Sequence, residues 1–245
     1  MTDIDKGRAK HAIRECVWTL LEQQRAVPQG THGRIPAFYG AEVAADRLAQ
    51  LPVWKNARIV KTVPDKAQLP VRARALEEGK LVYMAVPELA EEKPFYLLDP
   101  AELTVPASEA ASSEVAAAVA QRIGLEKMRP VDLVVCGSVA VNRHGVRLGK
   151  GAGYFDIELA LLQEANLIGP KTIVATTVHS LQVIDEELPE TEHDFSVDLV
   201  VTPDEVIECG SPRRPNGLIW KDLDQEKIAA IPVLAALAEK NKTEN

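Results

Sequence analysis

Residues 142–156 set four glycines and three cationic side chains ahead of an aromatic pair and a carboxylate. Gly149, Gly151 and Gly153 alternate, so the backbone can take positive φ values and approach an anion without a Cβ in the way. Arg147 and Lys150 add charge to the same stretch, and Asp156 adds an oxygen suited to a hard cation. The chemistry this combination suits is the holding of a phosphate group and its metal ion. An ordinary glycine-rich turn in an α/β protein has the same spacing, because loose glycine patterns recur by chance.

Other chemistry-bearing positions lie far from this loop in the chain. Lys10 and Arg14 are four apart, hence on one face of a helix, where they form either a solvated basic face with Arg8 or a two-point clamp on phosphate oxygens. His193 and Asp194 precede an apolar run, and Asp194 is either a magnesium ligand or part of an acidic surface turn. His179 follows a strand end and reads as a structural histidine. Arg213 and Arg214, between Pro212 and Pro215, read as an anion site or a rigid turn. Asp156 is expected to have little packing role.

These residues need a scaffold, and apolar periodicity supplies one. Residues 6–24 read as an amphipathic helix with Ile13, Val17, Leu20 and Leu21 inward, and 40–51 as a second with Val43, Ala44 and Leu48 inward. Strands are expected at 57–63, 81–86, 132–136, 172–176 and 197–202, with a short one at 95–98. Helices are expected at 71–78, at 108–123 capped by Ser108, and at 155–165. Alternation of this kind implies an α/β fold, an open, mostly parallel sheet flanked by helices, with ligands collecting at the carboxyl ends of the strands. The glycine loop would lie at one such end. A single domain is expected over 1–245, with 224–245 a helical tail broken at Pro232.

Composition narrows the function classes. A hydrophobic fraction of 46% against 26% charged residues is that of an ordinary globular chain. A net charge of −8 argues against broad nucleic-acid binding and against an anionic membrane surface, so any anionic ligand must be held by a local cationic site. The chain lacks the roughly 20-residue apolar stretch of a membrane span and the opening of a secretory signal, which predicts a cytoplasmic protein. Cys16, Cys136 and Cys209 are odd in number and far apart, as expected of free thiols, with Cys136 a small core residue.

The stretch 132–156 closely resembles the signature of 5-formyltetrahydrofolate cyclo-ligase, also called methenyltetrahydrofolate synthetase. Two remote features agree: Lys10-x-x-Ile13-Arg14 is similar to the family's N-terminal motif, and His193-Asp194 followed by Val197-Asp198 is similar to its late one. The resemblance covers most of residues 6–208. It implies a fold shared with sugar-phosphate isomerases and coenzyme A transferases, and a ring closure that depends on ATP and magnesium. ATP would phosphorylate the formyl oxygen, a neighbouring folate nitrogen would attack the activated carbon, and phosphate would leave to give 5,10-methenyltetrahydrofolate.

Carried over by position, Lys10, Arg14, Arg147, Leu148, Gly149, Lys150, Gly151, Ala152, Gly153, Tyr154 and Phe155 would bind ATP. Arg147, Lys150 and Tyr154 would be catalytic, residues 150–154 would also border the folate, and Asp156 and Asp194 would hold magnesium. The implied partner is a small-molecule substrate, a reduced folate or similar, with no nucleic acid and no membrane, and a monomer or homodimer as the assembly.

Departures bear on the substrate. Lys66 aligns with the glutamate that binds the pterin in this family, Lys61 replaces a nearby apolar contact, and Asp65 substitutes for the glutamate if the loop slips by one residue. Asn142 stands where aspartate is common, Gly137-Ser138 replaces Pro-Gly, and Ile157 replaces arginine. With residues 209–220, these departures resemble the branch of methenyltetrahydrofolate synthetase domain-containing proteins, whose plant relatives are associated with thiamine metabolism. The chain is expected to be the catalytic-type domain without that branch's RNA-recognition domain. The alternatives implied are a paralogue that keeps the ATP site and takes another substrate, thiamine-related among them, and a non-catalytic nucleotide- or folate-binding regulator.

Overall fold

The computed structural model describes residues 2–210 and 212–243. Met1, Ser211, Glu244 and Asn245 lie outside the described residues, and with them one residue of the 209–220 segment and the end of the expected tail. The chain opens with helices α1 (Asp3–Gln23), α2 (Ala41–Ala49) and α3 (Pro52–Asn56), then β1 (Ile59–Thr62), α4 (Leu69–Glu77), β2 (Leu81–Ala85) and β3 (Phe95–Leu98). Next come α5 (Ala107–Ala110), α6 (Ser113–Val119), β4 (Gln121–Ile123), β5 (Leu133–Cys136), β6 (Ala140–Asn142) and β7 (Arg147–Leu148). The remainder is α7 (Tyr154–Glu164), β8 (Ile173–Thr177), β9 (Val183–Ile184), β10 (Leu199–Val201), β11 (Val206–Glu208), α8 (Gln225–Ala230) and α9 (Pro232–Thr243).

The main sheet has the order β11-β10-β8-β5-β1-β2-β3-β4. Its five central strands, β10 to β2, are parallel, and β11, β3 and β4 add antiparallel edges. Both faces are covered, so the central strands are buried at nearly every position. Period-two alternation sends Ile59, Tyr83, Val134 and Cys136 to the face packed by α7, and Val60, Val82, Met84 and Val135 to the face packed by α2 and α4. Lys61 shares the α7 face, fully buried. A second sheet of order β7-β6-β9 forms a shelf on which α1 rests through Val17, Trp18 and Leu21.

The strand order reverses beside β1: β2 lies on one side of it and β5, β8 and β10 on the other. Chain leaving the carboxyl ends of β1 and β5 therefore diverges, and the crevice between them is where a ligand fits in a sheet of this kind.

Two expectations change. The helix expected over 108–123 is two short helices and an edge strand, and Ser108 caps neither, because the fully buried Ala111 carbonyl accepts from Arg72 Nε at 2.7 Å instead of continuing a helix. Leu20 is 37% exposed and Trp18 takes the inward place on α1, while Val43 is 50% exposed because α2 turns Ala41, Ala44, Ala45 and Leu48 inward. The tail is broken at Pro232 as expected, into helices α8 and α9 that meet at Ile231.

Candidate active site

A cavity of about 780 Å³ opens at the β1/β5 crevice. Val63, Pro64 and Asp65 reach it from the end of β1, Gly137 from the end of β5, Lys10 and Arg14 from α1, and Thr191 to Asp194 from the loop before β10. Residues 147–156 line it without a break. The glycine loop crosses from β7 to the amino end of α7, whose N-cap, Gly153, has φ +74° and offers no side-chain cap. The first N–H groups of α7 thus lack a capping acceptor, which is the arrangement that binds an anion. Gly151, at φ +105°, could not carry a side chain without strain and lies against Arg14.

Arg147, Arg14 and Lys10 are each held by neighbours that explain their direction. The Arg147 guanidinium is 4.4 Å from the Phe155 ring centroid and 3.7 Å from Asp156 Oδ1. Its Nη2 donates to the Gly137 carbonyl at 3.3 Å, and its Nε to Ser138 Oγ at 3.4 Å. Gly137 and Ser138, the pair that departs from the family pattern, are therefore the pair that grips this arginine. Arg14 Nε donates to the Gly149 carbonyl at 2.6 Å, and burial followed by the Arg147 charge lowers its pKa. Lys10 pairs with Asp194, each side chain less than 15% exposed, so the reading of residues 8–14 as a solvated face does not hold for Lys10. Lys150 is exposed on the cavity wall.

The two carboxylates differ. Asp194 Oδ2 accepts from Lys10 and, at 2.7 Å, from the Thr191 N–H. Burial pushes its pKa up, but these partners outweigh it and hold the carboxyl below the usual aspartate range. Asp156 Oδ1 accepts from the Phe195 N–H at 2.9 Å. Burial raises Asp156 above the usual range, with Arg147 and the Phe195 N–H opposing in part. Asp156 therefore ties α7 to the strand region beyond 194, and the expectation that it has little packing role is corrected. These bonds use one oxygen of each carboxylate, Oδ1 of Asp156 and Oδ2 of Asp194. Among the described residues no group of three or more His, Cys, Asp or Glu side chains is placed to hold a metal ion. Two carboxylate oxygens fit magnesium only where phosphate oxygens and water complete the shell.

The wall opposite the glycine loop holds Asp65, the alternative left open by the sequence, and two features that sequence reasoning missed, Arg72 and the Lys61–Glu158 pair. Asp65 lines the cavity, whereas Lys66 is exposed and outside its wall, so of these two residues the carboxylate is the one that reaches the cavity. Arg72, 1% exposed, fixes this loop by donating Nη1 to the Val63 and Asp65 carbonyls at 2.6 and 2.9 Å. Burial raises the Asp65 pKa, and Lys150, Arg72 and Arg147 oppose it. Lys61 pairs with Glu158 of α7 beneath the Phe155 ring, and Glu158 also lines the cavity. The signal was present in the sequence: one lysine and one glutamate, each inside an otherwise apolar run.

Several candidates fall elsewhere. His179 caps the short turn 180–182, accepting from the Leu181 N–H, and lies outside the cavity wall. Arg214 pairs with Asp198 and donates to the Gly169 and Thr172 carbonyls, while Arg213 donates to the Thr191 carbonyl, so both anchor chain segments and neither lines the cavity. Asn142 Oδ1 accepts from the His144 and Val146 N–H groups at 3.0 Å and shapes the β6–β7 turn. Cys16, Cys136 and Cys209 are free, and no described helix is long and apolar enough to cross a membrane.

Comparison with known proteins bears on this arrangement. A methenyltetrahydrofolate synthase domain-containing protein of Mus musculus is 36% identical over 247 residues, covering 98% of this chain and 66% of its own length. The Homo sapiens protein of that name is 37% identical over 237 residues, covering 94% of this chain and 62% of its own. The chain thus spans about two thirds of the length of these relatives. The NMR structure of the Aquifex aeolicus 5,10-methenyltetrahydrofolate synthetase superposes with a TM-score of 0.52 over 83% of this chain and 94% of that one, at 23% identity, a likeness of fold. The model of the 5-formyltetrahydrofolate cyclo-ligase family matches residues 6–203. With that match over most of its length and relatives above 30% identity, the chain belongs to the 5-formyltetrahydrofolate cyclo-ligase family.

Proposed function

We propose that the protein is an ATP- and magnesium-dependent cyclo-ligase that converts 5-formyltetrahydrofolate to 5,10-methenyltetrahydrofolate. The observation that carries this reading is the convergence of Lys10, Arg14, Arg147 and Lys150 on one glycine loop at the amino end of α7, beside Asp156 and Asp194. Lys10, Arg14 and residues 147–155 would hold the nucleotide, with the loop N–H groups on its phosphates. Asp156 and Asp194 would hold magnesium, which neutralises phosphate charge when bound.

In this reaction the γ-phosphoryl group passes to the formyl oxygen and ADP is released. A folate nitrogen then attacks the activated carbon, its proton leaves to the phosphate or to water, and the C–O bond breaks to release inorganic phosphate. Such chemistry needs positioning and charge neutralisation more than a dedicated base. Arg147, locked by Gly137, Ser138, Asp156 and Phe155, supplies a fixed cation for charge that develops during transfer, at no reorganisation cost. Lys150, exposed on the cavity wall, adds a second. Tyr154, at the first turn of α7, would border the acceptor, and Asp65 would accept hydrogen bonds from it.

A second reading rests on Lys61 and Glu158. A lysine where the family has an apolar contact, paired with Glu158 of the cavity lining, suits a relative that keeps the nucleotide site and takes another formyl- or amide-bearing acceptor. Formation of methenyltetrahydrofolate, followed by its absorbance with ATP and magnesium present, tests the first reading. Magnesium-dependent phosphate release with a different acceptor, and none with the folate, would favour the second.

A further inference from the structure

The family match ends at residue 203, yet the site continues past it. Lys221 and Asp222 line the main cavity, and residues 217–227 run along α7 from one end to the other. At the carboxyl end of α7, the Gly217 N–H donates to Gln163 Oε1 and the Leu218 N–H to Glu164 Oε1, both at 2.8 Å. At the amino end, Lys227 Nζ donates to the Ala152 carbonyl at 2.8 Å and sits 4.0 Å from the Tyr154 ring centroid. In between, Trp220 and Leu223 pack on the core. The same segment reaches the loop that carries Asp194, through Asp222 at 3.7 Å from His193 Nδ1 and Lys221 at 3.1 Å from Glu192.

We infer that Lys227 is a positioning residue of the glycine loop, and that the segment 217–227 is a working part of the anion site. The reason is peptide geometry. In a trans peptide the carbonyl and the following N–H point in opposite directions, and the chain has no cis bonds among the described residues. Lys227, by drawing the Ala152 carbonyl to itself, turns the Gly153 N–H away from α8. Arg14 does the same at the other end, drawing the Gly149 carbonyl and turning the Lys150 N–H. A loop with glycines at 149, 151 and 153 has little conformational preference of its own. Two cations from opposite ends of the chain therefore set which way its N–H groups face. Charge-assisted bonds to carbonyls are strong enough to do so. The stack on Tyr154 fixes the Lys227 side chain itself.

The inference rests on the proposed nucleotide site only for the identity of the anion. The test compares wild type, Lys227→Met and Lys227→Arg by hydrogen exchange over 149–155 and by calorimetric titration with magnesium-ATP and with tripolyphosphate. Lys227→Met is expected to exchange faster in that loop alone and to bind both anions about tenfold more weakly, the scale of one lost charged hydrogen bond. Lys227→Arg is expected to restore both. Unchanged exchange in Lys227→Met overturns the inference, as does faster exchange with unchanged affinity, which marks a contact that is structural only. Tripolyphosphate binding that responds to Lys227 without any binding of magnesium-ATP supports the inference and sinks the nucleotide reading. Wild type that binds neither anion overturns both.

Discussion

Lys10 on α1 and Asp194, 184 residues further along the chain, form an ion pair in the wall of the cavity, with the Thr191 N–H bonded to the same carboxylate oxygen. Removing the lysine leaves a mostly buried carboxylate with one partner fewer. Lys10→Met is expected to cost about 2–3 kcal/mol in denaturant unfolding at pH 7, less than a fully buried pair because both side chains keep some solvent contact. Asp194 has a depressed pKa, so its contribution is present above the unfolded value of about 3.9 and is lost as pH falls through the folded value. Lys10→Met raises that folded value and moves the loss of stability to higher pH. An acid limb identical in the two proteins would count against the pair.

Asp156 behaves in the opposite sense. Its pKa is raised, so between about 3.9 and its folded value the folded state binds more protons than the unfolded one, and stability falls as pH rises through that window. Asp156→Asn keeps an oxygen for the Phe195 N–H and removes the buried charge. It is expected to be at least as stable as wild type at pH 7 and to lose turnover. Asp156→Ala loses the bond as well and is expected to be about 1–2 kcal/mol less stable. Full activity in a folded Asp156→Asn would remove this carboxylate from the metal site.

Lys61 and Glu158 share a nearly solvent-free position between β1 and α7. Lys61→Met strands the glutamate and is expected to cost about 3–5 kcal/mol, whereas Lys61→Met with Glu158→Leu is expected to return to within about 1 kcal/mol of wild type. Burial raises the Glu158 pKa, and Lys61 opposes it. A single variant as stable as the double one would mean that Glu158 is protonated in the fold and the pair carries no charge.

Asp65 and Lys66 separate the two readings of the acceptor side. Asp65→Asn is expected to raise KM for the acceptor about 10- to 100-fold, the loss of a charged hydrogen bond, with KM for ATP unchanged. Lys66→Ala is expected to leave both constants alone. The reverse pattern in steady-state kinetics would return the recognition role to the aligned position.

The part of this site legible in the sequence is the part built from contiguous residues. The run from β5 through the glycine loop to α7 could be read because an apolar strand, three alternating glycines and an amphipathic helix follow one another. The central strands stood out because burial on both faces makes them uniformly apolar. The edges did not. β4 and β11 are three-residue strands whose partners, β3 and β10, fix them, and the β6–β7 hairpin is set by Asn142 capping its own turn. Alanines at 107–120 have high helix propensity, but Arg72 claims the Ala111 carbonyl and splits the helix. Lys10, Arg14 and Asp194 were found by motif, while their contacts with Thr191 and Gly149 required the fold. Lys221, Asp222 and Lys227 carry no motif and become visible only when α8 is docked beside the loop.

The most direct test of the central claim is a calorimetric titration of ATP into wild type and Lys150→Ala, with and without magnesium. Lys150 is exposed, so its removal should leave the fold unchanged. Saturable, magnesium-dependent binding to wild type, weakened about tenfold or more in Lys150→Ala, is the predicted result. No binding to wild type, or equal affinity in both proteins, would contradict the assignment of residues 147–155 as the nucleotide site.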